Sequence, residues 1–361
     1  MKNLTKKTDS FSVEDTTAIK GIAIILLLFY HCFSSEDRLF GNVTFLLSKS
    51  HEMWIFNAAN VCVGMFAVLS AYGITMASKK FWDAKEKDRE MKGYFVHRFF
   101  SLLPDFWFVY ILVFIVTIIG GFSVPYGKLN FDGIVLGISD FMGMAYWFQS
   151  PSLCATWWYI GFTILVIFLL PVIDRITKYF SLIGTMGLFF GAVVVFQIPI
   201  TNMTRWLPAI ILGYGAARGN WFVRMKACKN RGKLIFDLLL LGLLMYFRQS
   251  SSGYYYFSYI THGIAPLYVI YFCYCYIERI PGVHSILVFL GKHSMNIFLI
   301  HTFYRWIWTK KIVYSFQYPI LIFLVLMGMS VATSIIIEEM KKVICFRKVI
   351  KRAENYLLGD K

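Results

Sequence analysis

The chain has 361 residues, 58% of them hydrophobic and 19% aromatic, with only 16% charged, against about 25% charged in a soluble domain. Apolar runs of about 18 residues recur along its length, which excludes a soluble globular enzyme and points to an all-α, polytopic membrane protein. The formal net charge of +16 is not a nucleic-acid signature, because Lys and Arg gather in a few segments between apolar runs. There they mark the cytoplasmic face and meet anionic lipid head groups.

In chain order, the polar segment 1–17, MKNLTKKTDSFSVEDTT, has no small-residue cleavage site after the first apolar run. It is expected as a cytoplasmic N-terminal segment rather than a signal peptide. Apolar segments follow at 18–34, 54–77, 97–119, 131–148, 155–173, 179–198, 203–217, 233–248, 262–278, 285–307 and 317–338. Basic clusters lie at Lys2, Lys6 and Lys7, in 79–92, in 218–233 and in 341–352. All four fall on one side only if one segment between 120 and 203 does not span. Segment 131–148, FDGIVLGISDFMGMAYWF, has three glycines and two aspartates and is the poorest lipid-exposed helix. It is expected as a re-entrant or surface piece on the outer side.

The result is about ten transmembrane helices with both termini cytoplasmic, a membrane domain over 18–340 and a basic tail over 341–361. The loop 308–316, with Lys310 and Lys311, then faces outward, against the charge rule. His284 is placed in a loop. The seven cysteines (Cys32, Cys62, Cys154, Cys228, Cys273, Cys275, Cys345) show no Cys-x-x-Cys ligand spacing, so no metal site is expected, and most of them read as small buried hydrophobes.

The first apolar stretch, AIKGIAIILLLFYHCF at 18–33, carries Lys20 toward the cytoplasmic end and His31 toward the outer end. Their separation of eleven residues is about three helical turns, or about 16 Å along one face. Lys20 alone is explained equally well by snorkelling, and His31 alone by a structural role. Ionisable groups inside a membrane usually face a cavity or a partner, and on one face the two suggest a passage. A cation at its inner end suits phosphate, and an imidazole at its outer end suits proton transfer.

The segment KGIAIILLLFYH resembles the first helix of the acyltransferase-3 family, bacterial membrane acyltransferases that carry acyl groups, usually acetyl, onto glycans. VGMFAVLSAYGI at 63–74 is similar to the family's second helix, with Ser70 kept and Ala71 in the place of a glycine. Gly64, Ala71 and Gly73 are equally read as small residues for close helix packing. FVHRFFSLLP at 95–104 is similar to the family's Arg-x-x-Arg pair before the third helix, with Arg98 present and Ser101 in place of the second arginine. LGKHSMNIFLIHTF at 290–303 resembles the late Leu-Gly-x-x-Ser … Tyr/Phe-Leu-x-His segment, matched by Gly291, Ser294, Phe298 and His301. CATWWYIGFTILVIFLLP at 154–171 is similar to the family's Trp-led helix but lacks the glutamate that many relatives carry. Trp157 and Trp158 are read as interfacial anchors.

The resemblance implies that His31 is catalytic, that Lys20 and Arg98 bind the donor, and that Ser70, Ser294 and His301 give support, with an architectural role as the alternative for the last two. It implies no bound cofactor. Acyl-coenzyme A, acetyl-coenzyme A in the first instance, is the co-substrate and a glycan is the acceptor, in the bacterial cytoplasmic membrane among its lipids. The stretch SSGYYYFSY at 251–259 is read as an outer loop whose rings face sugar or form an interface belt. Ten spans also fit a transporter or flippase of a sugar-containing substrate, although no inverted repeat is visible. Transfer of label from acyl-coenzyme A by the purified protein separates the two.

Overall fold

The computed structural model describes residues 11–127, 130–226, 231–251 and 254–359. Lys2, Lys6, Lys7 and Cys228, which entered the charge and cysteine readings, lie outside the described residues. The chain is 81% helical, with no strand among the described residues. The architecture is all-α because an apolar run in lipid must satisfy its own backbone polar groups, and a helix does so within one segment.

The helices in order are α1 (Val13–Phe33), α2 (Lys49–Ala58), α3 (Val61–Ala77), α4 (Lys79–Asp83), α5 (Met91–Ile119), α6 (Phe131–Phe141), α7 (Trp158–Phe196), α8 (Leu207–Gly219), α9 (Trp221–Lys226), α10 (Arg231–Ser250), α11 (Tyr255–Phe272), α12 (Val283–Thr302), α13 (Lys310–Tyr314), α14 (Pro319–Val343) and α15 (Phe346–Leu358). Among the described residues, seven helical stretches are long and apolar enough to cross a membrane. One of them contains α7, which is two helices joined at Ser181 (φ 60°, ψ 175°). With α8 and α10, every expected span has its helix. α8 is short, at 13 residues, and α10 carries Lys233, Asp237 and Arg248; neither is a plain apolar span.

The segment expected not to cross, 131–148, holds only the 11-residue α6. That is about 16 Å of helix against a hydrocarbon core of about 30 Å. Two sequence readings are corrected. His284 lies in the first turn of α12, not in a loop. The aromatic stretch is helical from Tyr255 onward, because α11 begins there rather than at 262. The Tyr255 hydroxyl donates to the Ile198 carbonyl, and the Tyr259 hydroxyl reaches the carbonyls of Ile198 and Pro199 at 3.1 and 3.2 Å. These rings anchor the helix to a loop of the protein rather than lining an open one.

The chain divides into two compact units. The first comprises Met1–Ala23, Val61–Met76 and Ile176–Lys292. Close helix contacts run through it: a Cβ on Gly64 would lie 2.2 Å from Pro266 and 2.7 Å from Trp206, and one on Gly213 would lie 2.6 Å from the Val68 carbonyl oxygen. Ala71 is fully buried. Gly64 and Ala71 are therefore packing residues, whereas Gly73 faces open space.

Also in this unit, Gly21 of α1 and Gly291 of α12 oppose each other. A Cβ on Gly21 would lie 2.1 Å from the Leu287 carbonyl oxygen, and one on Gly291 would lie 1.8 Å from that of Thr17. Each glycine thus faces the carbonyl four residues before the other, the pattern of two parallel helices in backbone contact through small residues.

The second unit comprises Ile24–Asn60, Ala77–Arg175 and His293–Lys361. Asp174, fully buried, takes Arg89 at 2.6 Å, and Tyr94 donates to the Ile167 carbonyl at 3.0 Å. α15 packs against α5 through Phe346 on Phe108 and through the pair His97–Glu354.

Candidate active site

In the second unit, His31 in the last turn of α1 meets His301 near the end of α12. The Nδ1 of His31 lies 2.6 Å from the Nε2 of His301, with the rings within 10° of parallel. His301 is fully buried and His31 is 9% exposed. Local spacing prepares the meeting. Each histidine follows, by ten residues, a glycine of the close α1–α12 contact: Gly21 before His31, Gly291 before His301. Ten residues of helix rise by the same distance in α1 and in α12, so the two rings arrive at the same level.

The hydrogen bonds set the tautomers. His301 Nδ1 lies 2.8 Å from the Phe298 carbonyl oxygen and 3.1 Å from that of Ile297. Carbonyls only accept, so Nδ1 carries the proton and Nε2 is the acceptor nitrogen. His31 must then donate from its own Nδ1, which leaves its Nε2 with a free lone pair. Thr302 Oγ1, 3.2 Å from His301 Nε2, adds a second donor, and Thr156 Oγ1 lies 3.4 Å from Thr302 Oγ1.

Trp157, read from sequence as an interfacial anchor, is instead 2% exposed and donates from Nε1 to the Leu299 carbonyl at 3.0 Å. Its ring packs on Phe106 and Phe303. The indole is held inside because its one donor finds a helix carbonyl and its faces find other aromatics.

Arg305 lies four residues past His301, in a π-helical stretch, Phe303–Trp308. That offset returns it to the face of His301, and wide helical turns of this kind recur at functional sites. Its Nη1 donates to the Arg38 carbonyl at 3.3 Å. Arg38, in the turn after α1, lies over the Tyr30 ring at 4.4 Å. The charges of both arginines act on both imidazoles.

The other expected site residues lie elsewhere. Lys20 is half-buried on α1, within the first unit, as is Ser70 on α3. Arg98 sits in the second turn of α5, its Nε buried without a hydrogen-bond partner. Ser294 is buried on α12. Among the described residues no cluster of His, Cys, Asp and Glu is arranged to hold a metal ion.

Residues 15–339, nearly the whole chain, match the acyltransferase-3 family, described as an acyltransferase domain. The chain belongs to the acyltransferase-3 family. No curated protein and no solved structure matches it.

As an acyltransferase-3 protein this chain is a multi-pass membrane acyltransferase, and the dyad suits that chemistry. A histidine with one nitrogen fixed as donor and the other free is the form a general base needs. His301 bonds to the Nδ1 side of His31, the place a carboxylate takes beside the histidine of a Ser-His-Asp triad, and its acceptor nitrogen sets the His31 tautomer. Reasoning on the acyltransferase's sequence assigned His301 only a supporting role and did not single out Arg38, Arg305 or Thr302, which gather around the two rings. One signal was present: Gly-x9-His occurs in both the first and the late motif.

Proposed function

We propose that the protein is an O-acyltransferase that moves a short acyl group, acetyl in the first instance, from acyl-coenzyme A to a hydroxyl of a cell-surface glycan or its lipid-linked precursor, in the bacterial cytoplasmic membrane. The free lone pair on His31 Nε2, imposed by His301, carries this reading. His31 takes the proton of the sugar hydroxyl as its oxygen attacks the thioester carbonyl. A tetrahedral intermediate forms, the carbon–sulfur bond breaks, and the proton held on Nε2 passes to the leaving thiolate. An ester and free coenzyme A result, and His31 returns to its starting state. His301 is a positioning residue in this scheme.

The donor comes from the cytoplasmic side, where Lys20 and Arg98 offer cations to its phosphates. Arg98 has a buried donor nitrogen left over for such a ligand. The test is the purified protein with labelled acetyl-coenzyme A and a de-acetylated glycan. Label should appear in the glycan as a base-labile ester, and with His31→Gln it should not. Movement of a sugar lipid across vesicles without any ester formation would replace this reading with a flippase.

A further inference from the structure

We propose that the acceptor is an acidic saccharide, whose carboxylate or phosphate is taken by Arg305 with Arg38 beside the dyad; this rests on the acyltransferase reading. Arg305 is 8% exposed, its Nε is buried without a hydrogen-bond partner, and no described carboxylate pairs with it. A buried charge left uncompensated is strongly destabilising, and an ionisable group at membrane depth marks a functional site. The guanidinium fork matches two oxygens of a carboxylate or phosphate.

The surroundings extend the argument outward. Tyr314 donates to the Arg38 carbonyl at 2.9 Å and stands beside Arg305. Its other side forms a wall of a cavity of about 230 Å³, with Phe40, Asn42, Lys311 and Gln317. That volume is below the roughly 300–1,000 Å³ of sites for drug-sized ligands, the scale of a single ring. Lys310 lies 4.9 Å from the Phe40 ring centroid and 5.5 Å from that of Trp306. Lys310 and Lys311 are the cations expected on the outer face against the charge rule. An anionic ligand on the outer face gives that exception a reason.

Nearby acids do not fill the role. Glu36 is taken by Lys49 at 2.8 Å. Asp37 is exposed, held below the usual carboxylate range by Ser35 and, more weakly, by the two arginines. Both arginines lie past their histidines in the direction that α1 and α12 share, so the anion sits on the side away from the arriving donor.

The test is binding to the full-length protein carrying His31→Ala, so that affinity is read without turnover. The probes are an oligosaccharide bearing a uronic acid, the same oligosaccharide with its carboxyl reduced to an alcohol, and a sugar phosphate. The acidic probes should bind about ten- to a hundredfold more tightly than the reduced one, the scale of a hydrogen bond to a charged group, and less so in high salt. The tighter of the two acids identifies the anion.

Arg305→Ala should abolish the preference, Arg305→Lys should keep part of it, and Lys311→Ala should reduce it several-fold. The Arg305→Lys variant guards against loss of folding, checked by gel filtration. Equal affinity for acidic and reduced probes, or a preference that survives Arg305→Ala, overturns the proposal. So does saturation of the site by anionic phospholipid in nanodiscs with no saccharide effect. Undiminished transfer to a neutral glycan by Arg305→Ala would sink the proposal and leave the acyltransferase intact. Arg305-dependent binding with no transfer to any glycan would do the reverse.

Discussion

α12 carries two histidines eight residues apart, and their neighbourhoods in the second unit differ in kind. His293 lies 2.8 Å from Ser334 Oγ, and Asn296 donates to the same Ser334 at 3.1 Å and to Glu338 at 3.0 Å. Glu338 takes Lys341 at 3.0 Å, and Lys341 reaches Asp105 at 2.7 Å. Polar atoms there close on one another in a chain of donors and acceptors. At the other histidine the arrangement stays open: His31 keeps a free nitrogen, and Arg305 keeps a buried charge without a carboxylate. A closed polar network within a membrane protein rigidifies the fold. An open one holds unsatisfied groups in place, which is the state a site needs before substrate arrives.

The sharpest way to break this contrast is at His31. His31→Ala and His31→Gln should each lower acyl transfer by about 10²–10⁴-fold, the worth of a general base, at unchanged expression and membrane insertion. Glutamine keeps much of the size but takes no proton at neutral pH. Full O-acylation of the cell's glycan with His31→Gln would make the dyad a second structural network.

His301 comes next. His301→Ala should lose about 10–100-fold, the scale found for partners that orient a metal-bound histidine. His301→Gln should recover part of it, because the amide oxygen can accept from His31 Nδ1. A purely packing role would show no rescue and no change in the pH profile of the remaining activity.

Gly21→Ala tests the helix contact that delivers both rings. Its methyl would lie 2.1 Å from the Leu287 carbonyl oxygen, so α1 and α12 must separate, at a cost of about 1–3 kcal/mol. Activity per folded molecule should fall with thermal stability. A stable, fully active variant would mean that the glycine pair does not set the register.

The smallest effect on chemistry belongs to the closed network. Glu338→Gln removes a charge partner from Lys341, which is 4% exposed. Unfolding in detergent should come earlier by on the order of 1–3 kcal/mol, with turnover per folded molecule unchanged. Lost turnover at unchanged stability would show that this end of α12 works in the reaction as well.

Much of the architecture was legible in order of residues alone. Membrane helices need no partner to satisfy their backbones, so apolar length announces them, and the glycine-bearing 131–148 was readable as a poor span, in line with the short α6 it holds. The family's motifs around Lys20, His31, Arg98 and His301 are likewise local strings, and the match over 15–339 agrees with them. What hydropathy misjudged were ends: α11 starts earlier because Tyr255 and Tyr259 find carbonyls in a loop some sixty residues back.

The pairing of side chains was decided elsewhere. His31 and His301 are 270 residues apart; the Gly-x9-His spacing they share does not say that the two helices are neighbours, and only the folded chain does. Trp157 has the composition of an interfacial anchor, and only the neighbours Leu299, Phe106 and Phe303 make it a core residue. The sequence by itself determined which segments are helical and membrane-embedded, because that follows from each segment's own free energy of transfer. Which imidazole nitrogen is free, and which arginine lacks a carboxylate, depends on groups brought together from distant helices, and only the tertiary structure decided it.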